Sequence, residues 1–264
     1  MAVKIFNEFK ENLKKGLPVA LATIIEGPGQ GAKLLLLPDG SYLGSLGNEK
    51  IDNVLSRDMA GELAAGRTSI RHYGIEGEAR EETLLIFIES FAPPPQMVIF
   101  GAVDFTAALV RIAKVLGYKV IVCDARPVFA TKARFPQADS VENEWPDQLM
   151  EKLGTSLGPR DAVCVLTHDN KFDVPAITSA LQTQVGYIGV MGSRKTHENR
   201  TERLIEAGVT TKEFERVMSP IGLDLGARTP EETAISICAE IIAMRTGRKA
   251  PHLKTIEGAI HGDR

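Results

Sequence analysis

Apolar positions change their spacing several times along the chain. Ile5, Phe9 and Leu13 recur at four-residue intervals, the period of one helix face, so a helix is expected over Lys4 to Lys14. Pro18 to Ile25 then reads as a strand. Lys33 to Leu37 and Ser41 to Ser45 flank Pro38-Asp39-Gly40, where a fixed proline φ and a permissive glycine favour a tight turn, so these segments form an expected hairpin. Asn48 to Ala65 returns to helical spacing, and Ser69 to Tyr73 and Thr83 to Ser90 are strand-like. Residues 1–92 therefore read as a small α+β sheet domain.

Ala92-Pro93-Pro94-Pro95-Gln96 interrupts the pattern, because consecutive prolines cannot join a helix or a central strand and instead form a stiff spacer. Residues 93–96 are read as a linker. Beyond it, the short apolar runs Met97 to Phe100, Lys119 to Cys123, Ala162 to Leu166 and Gly186 to Met191 alternate with helical patterns. Those patterns cover Phe105 to Leu116, Val174 to Thr183, Thr196 to Glu206 and Pro230 to Thr246. Apolar strands separated by helices argue a parallel sheet with right-handed crossovers, so residues 97–264 are expected to form a Rossmann-like, doubly wound α/β domain.

Composition narrows the partners. The chain has 264 residues, 44% hydrophobic and 25% charged, near the average for folded globular proteins. A formal net charge of −3 spread along the chain leaves no basic field for a nucleic-acid backbone. No apolar run reaches the ~20 residues of a membrane span, and Met1 to Lys10 lacks an apolar signal core, so a cytoplasmic location is expected. Cys123, Cys164 and Cys238 are isolated within apolar runs and read as structural thiols, neither a disulfide framework nor a metal motif.

The candidate chemistry lies in the second half. Gln96 to Thr106 has the strand, turn and helix start of a dinucleotide site, with Gly101 at the first glycine position. Val103 and Thr106 occupy the positions of the other two glycines, so a β-carbon should crowd a pyrophosphate. Asp104 is read as the helix N-cap, and its charge disfavours phosphate. Both changes weaken NAD(P) binding. Asp124 follows the second strand, about 20 residues on, where a carboxylate can hold a ribose hydroxyl.

Three later loops carry stronger signals. Thr167, His168 and Asp169 emerge at a strand's carboxyl end, where open parallel sheets build their sites; a cap and a solvated histidine are the plainer reading. Gly192, Ser193, Arg194 and Lys195 join a glycine turn to a basic helix start, which suits a phosphate or carboxylate. The alternative there is a solvated helix face on which Glu198 and Glu202 pair with Arg194, Arg200 or Arg203. Gly222, Asp224 and Arg228 lie in a glycine-rich loop suited to closing over a ligand. Thr229, Pro230 and Glu232 after it form an N-cap, first helical residue and capping box.

The segments Leu166-Thr-His-Asp169, Tyr187-Ile-Gly-Val-Met-Gly-Ser-Arg-Lys-Thr-His197 and Pro220-Ile-Gly-Leu-Asp-Leu-Gly-Ala-Arg-Thr-Pro-Glu-Glu232 together resemble the XdhC/CoxI family of molybdoenzyme maturation factors. Phe129-Ala-Thr131 and Arg134-Phe-Pro-Gln-Ala-Asp139 extend the resemblance over nearly all of the chain after Pro95. It implies a Rossmann-like C-terminal domain, a homodimer and a role in handling the molybdenum cofactor (molybdopterin): binding it, supporting its sulfuration and delivering it to a molybdenum hydroxylase such as xanthine dehydrogenase. The alternatives are an NAD(P)-dependent oxidoreductase and a non-catalytic nucleotide-binding scaffold. The N-terminal half follows the family through Ala22 to Ile25, Gly31 to Leu35 and Asp39 to Gly44. It departs at Glu26 to Gln30 and at Gly44 to Lys50, which holds no cysteine where the family has a glycine-cysteine segment. Val103-Asp104 stands where a family member has Gly-His.

Overall fold

A computed structural model describes residues 2–78, 81–153 and 156–257, without the side chains of Arg194, Lys195, Glu198 and Asn199. The chain divides into two compact units, Met1–Pro93 and Pro94–Arg264.

The first unit opens with α1 (Ala2–Lys14), followed by β1 (Val19–Glu26), β2 (Lys33–Leu36), β3 (Tyr42–Ser45), α2 (Glu49–Ala65), β4 (Ser69–Tyr73) and β5 (Leu84–Phe91). The strands form one antiparallel sheet in the order β3-β2-β1-β5-β4. Strand side chains alternate between faces. Ala20, Ala22 and Ile24 of β1 accordingly pack with Ile51, Leu55 and Met59 of α2, while Val19 and Leu21 join Ile5 and Phe9 of α1 on the other face.

The segment Gly44 to Lys50 is built as the entry to α2. Asn48 caps the helix by accepting from the N–H of Lys50 at 3.0 Å and of Ile51 at 3.2 Å. Buried Asp52 accepts from Leu46 N at 2.8 Å.

The second unit contains β6 (Gln96–Phe100), α3 (Asp104–Val115), β7 (Lys119–Cys123), β8 (Ser140–Glu142), α4 (Pro146–Leu153) and β9 (Ala162–Val165). It continues with α5 (Asn170–Leu181), β10 (Tyr187–Val190), α6 (Arg194–Glu206), α7 (Thr211–Phe214), β11 (Val217–Met218) and α8 (Pro230–Thr246). All six strands are parallel, in the order β11-β10-β9-β6-β7-β8. Counted from β6, this is the 3-2-1-4-5-6 order of dinucleotide-binding folds, reversing direction between β6 and β9.

Central strands buried on both faces need apolar residues at every position. β9 and β10 are buried throughout, and one face packs on α3 and α8 while the other packs on α4, α5 and Leu204 of α6. The doubly wound architecture expected from the alternating pattern is therefore the one observed. α5 starts four residues earlier than its apolar spacing suggests, because Asp169 caps it ahead of the apolar stretch. Among the described residues, no helix is long and apolar enough to cross a membrane.

Candidate functional site

The strand order reverses between β6 and β9, the point where doubly wound sheets bind ligands, and the expected site residues lie on loops at the carboxyl ends of β6, β7, β9, β10 and β11. Gly101 ends β6 with φ +111°, and a β-carbon there would stand 2.7 Å from Thr167 Cγ2 and 3.0 Å from Thr167 N. The glycine is required by the approach of the β9 loop, whether or not a ligand binds.

The turn after Gly101 satisfies its own backbone. Gly101 N donates to Cys123 O at 2.8 Å and Ala102 N to Asp124 Oδ2 at 2.8 Å, while Val103 N reaches Thr106 Oγ1 at 3.4 Å. The Thr106 hydroxyl itself donates to Gly101 O at 2.5 Å. A pyrophosphate at this turn would have to displace protein acceptors as well as the Val103 side chain. The N-cap position belongs to Val103; Asp104 is instead the first helical residue, its side chain 93% exposed. This corrects the assignment of Asp104 as cap, because the Thr106 hydroxyl already serves the turn from inside the helix.

Asp124 is buried and fully engaged. Besides Ala102 N, it accepts from Arg126 N at 3.0 Å, Arg126 Nε at 2.9 Å and Arg126 Nη2 at 2.7 Å. Burial pushes its carboxyl up, but the Arg126 guanidinium and the two backbone donors outweigh that and hold it below the ordinary aspartate value. Arg126 stacks over Phe129, 4.6 Å from the ring centroid, and Arg134 stands 5.5 Å from the same centroid while donating to Ala102 O at 3.0 Å. Thus Asp124 organises the loop after β7 and has its strongest acceptor positions occupied by protein donors.

On the β9 side, Asp169 is the N-cap of α5, accepting from Lys171 N at 3.0 Å, and His168 is exposed. Thr167 is buried, and its hydroxyl donates to Asp173 Oδ1. Asp173 Oδ2 in turn accepts from Arg200 Nε at 3.1 Å and Nη2 at 2.8 Å. Burial raises the Asp173 carboxyl, while Thr167 and Arg200 act in the opposite direction.

Arg200 is only 1% exposed, and its Nη2 also donates to Met191 O at 3.0 Å. In the alternative reading Arg200 pairs with a glutamate of its own helix; it pairs instead with Asp173, because the α6 face carrying Arg200 is turned into the protein. Neither Asp173 nor the burial of Arg200 is apparent from local spacing, because Asp173 lies in the first turn of α5, where a carboxylate is ordinary, and its partner is on another helix.

Gly192, with φ +150°, and Ser193 lead from β10 into α6. Ser193 caps the helix, accepting from Thr196 N at 3.2 Å. No described residue accepts from the N–H of Gly192 or Ser193, in contrast to the turn after β6. The side chains of Arg194 and Lys195 lie outside the described residues.

The loop after β11 is anchored at one end and open at the other. Gly222, φ +96°, leans on α8, where a β-carbon would meet Ser236 Oγ at 2.5 Å. Gly222 N and Tyr187 Oη both donate to Glu240 Oε2, at 2.9 and 2.6 Å. Glu240 sits beside the apolar stripe of α8, so local spacing gives no sign of its role. Asp224 to Arg228 are exposed, and Thr229 and Glu232 form the expected capping box, with Pro230 first in the helix.

Burial pushes the Cys123 and Cys238 thiols up to about 12 and Cys164 well above its usual value, so none of the three is a ready thiolate. Among the described residues, no group of three or more His, Cys, Asp or Glu side chains is arranged to hold a metal ion.

A Rossmann-type domain with its loops gathered at the carboxyl ends of the strands defines the class. Residues 97–241 match the model described as the XdhC Rossmann domain, and residues 13–74 match that of the XdhC and CoxI family. The chain belongs to the XdhC and CoxI family.

A Bacillus subtilis protein, named as a probable xanthine dehydrogenase subunit, is 36% identical over 165 residues, 62% of this chain and 47% of that protein. The Escherichia coli molybdenum cofactor insertion chaperone PaoD is 24% identical over 159 residues, 60% of this chain and 43% of its own length. The chain thus spans about half the length of these curated relatives. A crystal structure of a xanthine dehydrogenase from Bacillus halodurans shares the fold at TM-score 0.54 and 22% identity, covering 93% of this chain and 97% of that one.

Proposed function

We propose that this protein is an accessory factor that binds the molybdenum cofactor and passes it to a molybdenum hydroxylase of the xanthine dehydrogenase type, as a cytoplasmic homodimer. One observation carries the reading. The loops holding Thr167 to Asp169, Gly192 to Lys195 and Gly222 to Arg228 follow β9, β10 and β11, which are neighbours in the sheet, so all three lie along one rim. The name of PaoD, an insertion chaperone for that cofactor, supports the same cargo.

The rim suits binding and release better than turnover. It offers backbone donors at Gly192 and Ser193, an exposed imidazole at His168 and an exposed charged loop through Asp224 and Arg228. The three cysteines are buried, so sulfuration of the cargo would draw its sulfur from a partner protein.

Anaerobic native mass spectrometry of the full chain with purified molybdenum cofactor tests this reading and reports the number of protomers in the same spectrum. Retained cofactor, lost when Asp224 and Arg228 are both replaced by Ala, is the expected result. Absence of retained cofactor, together with no capture of a cofactor-free molybdenum hydroxylase, would refute it.

A further inference from the structure

The loop after β7 holds an aromatic ring and two guanidiniums against one another at the surface. Arg126 lies over Phe129, 4.6 Å from the ring centroid, and Arg134 stands 5.5 Å from the same centroid. Phe129 is nevertheless 41% exposed and the neighbouring Val128 78% exposed, so neither side chain serves the core. The loop does not need the ring for anchorage, because Arg126 is tied to buried Asp124 and Arg134 to Ala102 O.

The Arg126 guanidinium is fixed as a plane. Nε and Nη2 donate to the two oxygens of Asp124 at 2.9 and 2.7 Å, and this fork occupies the edge through which an arginine grips a phosphate or carboxylate. Phe129 covers one face. Among the described residues the opposite face meets no other ring, and the side chain is 45% exposed. Charge around the pair is already balanced: Asp124 and then Asp169 raise the Arg126 guanidinium above its ordinary value, and Asp104 stands 3.9 Å from Arg134. A further anion gains little there. A flat ring can still stack on the open face, because a guanidinium is weakly hydrated and stacks on π systems. Asp169 caps α5 after β9, so Arg126 faces the switch point of the sheet as well as its own loop.

We infer that Arg126, backed by Phe129, is a stacking shelf for an uncharged planar nitrogen heterocycle, which lies on the guanidinium face turned away from Phe129. Asp124 and Phe129 act as positioning residues that hold the plane. A pterin and a purine base share the chemistry that the shelf recognises. It belongs to a different loop from those on which the cofactor reading rests, so it stands without that reading.

Free pterin and adenosine, which carry no phosphate, are therefore the probes, each titrated into the full chain at constant ionic strength. NMR of the Arg126 Nε–H, held in its bond to Asp124, should show a saturable upfield shift from the ring current of the stacked heterocycle. Arg126→Lys, which keeps the charge and loses the plane, and Phe129→Leu, which keeps apolar bulk and loses the ring behind it, should each weaken binding about tenfold, the loss of one stacking contact. Inorganic phosphate should not displace the probe. No shift with either probe, wild-type affinity in both variants, or displacement by phosphate would overturn the shelf. Because the shift needs no variant, the test holds even if Arg126→Lys, by releasing Asp124, prevents folding. Tighter binding of pterin assigns a pterin cofactor to the shelf, and tighter binding of adenosine assigns a nucleotide. Probe binding with no retention of molybdenum cofactor would keep the shelf and remove only the cofactor reading; the reverse pattern would remove only the shelf.

Discussion

Asp173 and Arg200 form an ion pair buried in the second unit, with Nε and Nη2 of the arginine donating to the same carboxylate oxygen at 3.1 and 2.8 Å. The pair ties the start of α5 to the middle of α6, and through Thr167 and Met191 it reaches the ends of β9 and β10. Two loops of the rim thereby depend on one buried contact.

Removing one partner should be expensive. Asp173→Ala leaves a guanidinium buried without its counter-charge, and loss of one member of a buried pair costs about 3 to 5 kcal/mol. Denaturant unfolding should show that loss, and the double variant Asp173→Leu with Arg200→Met should recover much of it. A single variant as stable as wild type would show that the pair does not brace the rim.

Gly101 and Gly208 separate two costs of a β-carbon. Both have positive φ, +111° and +90°, but a β-carbon at Gly208 meets nothing within 4 Å, whereas at Gly101 it strikes Thr167. Gly208→Ala should cost about 1 to 2 kcal/mol from backbone strain. Gly101→Ala should add an overpacking cost of about 1 to 3 kcal/mol and disturb Thr167. Equal shifts in thermal midpoint would contradict the close approach of the two loops.

Glu240 provides a third test. Replacing it with Leu leaves Gly222 N and the Tyr187 hydroxyl without their shared acceptor, at about 1 to 3 kcal/mol for each group that stays buried. Amide exchange should accelerate at Gly222 and Leu223 while the capping box at Thr229 keeps its protection. Unchanged exchange at Gly222 would mean that Glu240 does not anchor the loop.

The sequence disclosed the central strands and the rim for a physical reason. Strands buried on both faces are apolar runs, and their carboxyl ends coincide with Gly101, Thr167 and Gly192. The short elements β8, α7 and β11 span at most four residues, too few for periodicity to register. Asp173 and Arg200 stayed hidden because their partnership joins two helices, whereas helical spacing offered Arg200 nearer glutamates. At the turn after β6, local rules favoured Asp104 as cap; the structure instead satisfies the turn with Thr106, a contact that depends on its hydroxyl pointing back to Gly101.

Asp124 makes the acid response of the second unit predictable. Its carboxyl is held below the ordinary aspartate value in the folded protein, so the unfolded chain takes up the proton first as pH falls. The stabilisation is present in full above about pH 4, the unfolded aspartate range, and is lost as pH drops through the lower folded value. Asp124→Asn removes the charge-assisted bonds to Arg126 and should cost about 1 to 3 kcal/mol near neutrality. The gap in thermal midpoint between wild type and Asp124→Asn should hold steady from pH 6 to about pH 4 and narrow from there toward pH 3 and below, since acid strips the wild type of the same interaction. A gap that stays constant over that range would show that the carboxylate is not held by Arg126 and Ala102. It would also reopen Asp124 to a ribose hydroxyl, because the protein donors now occupying it would then contribute little.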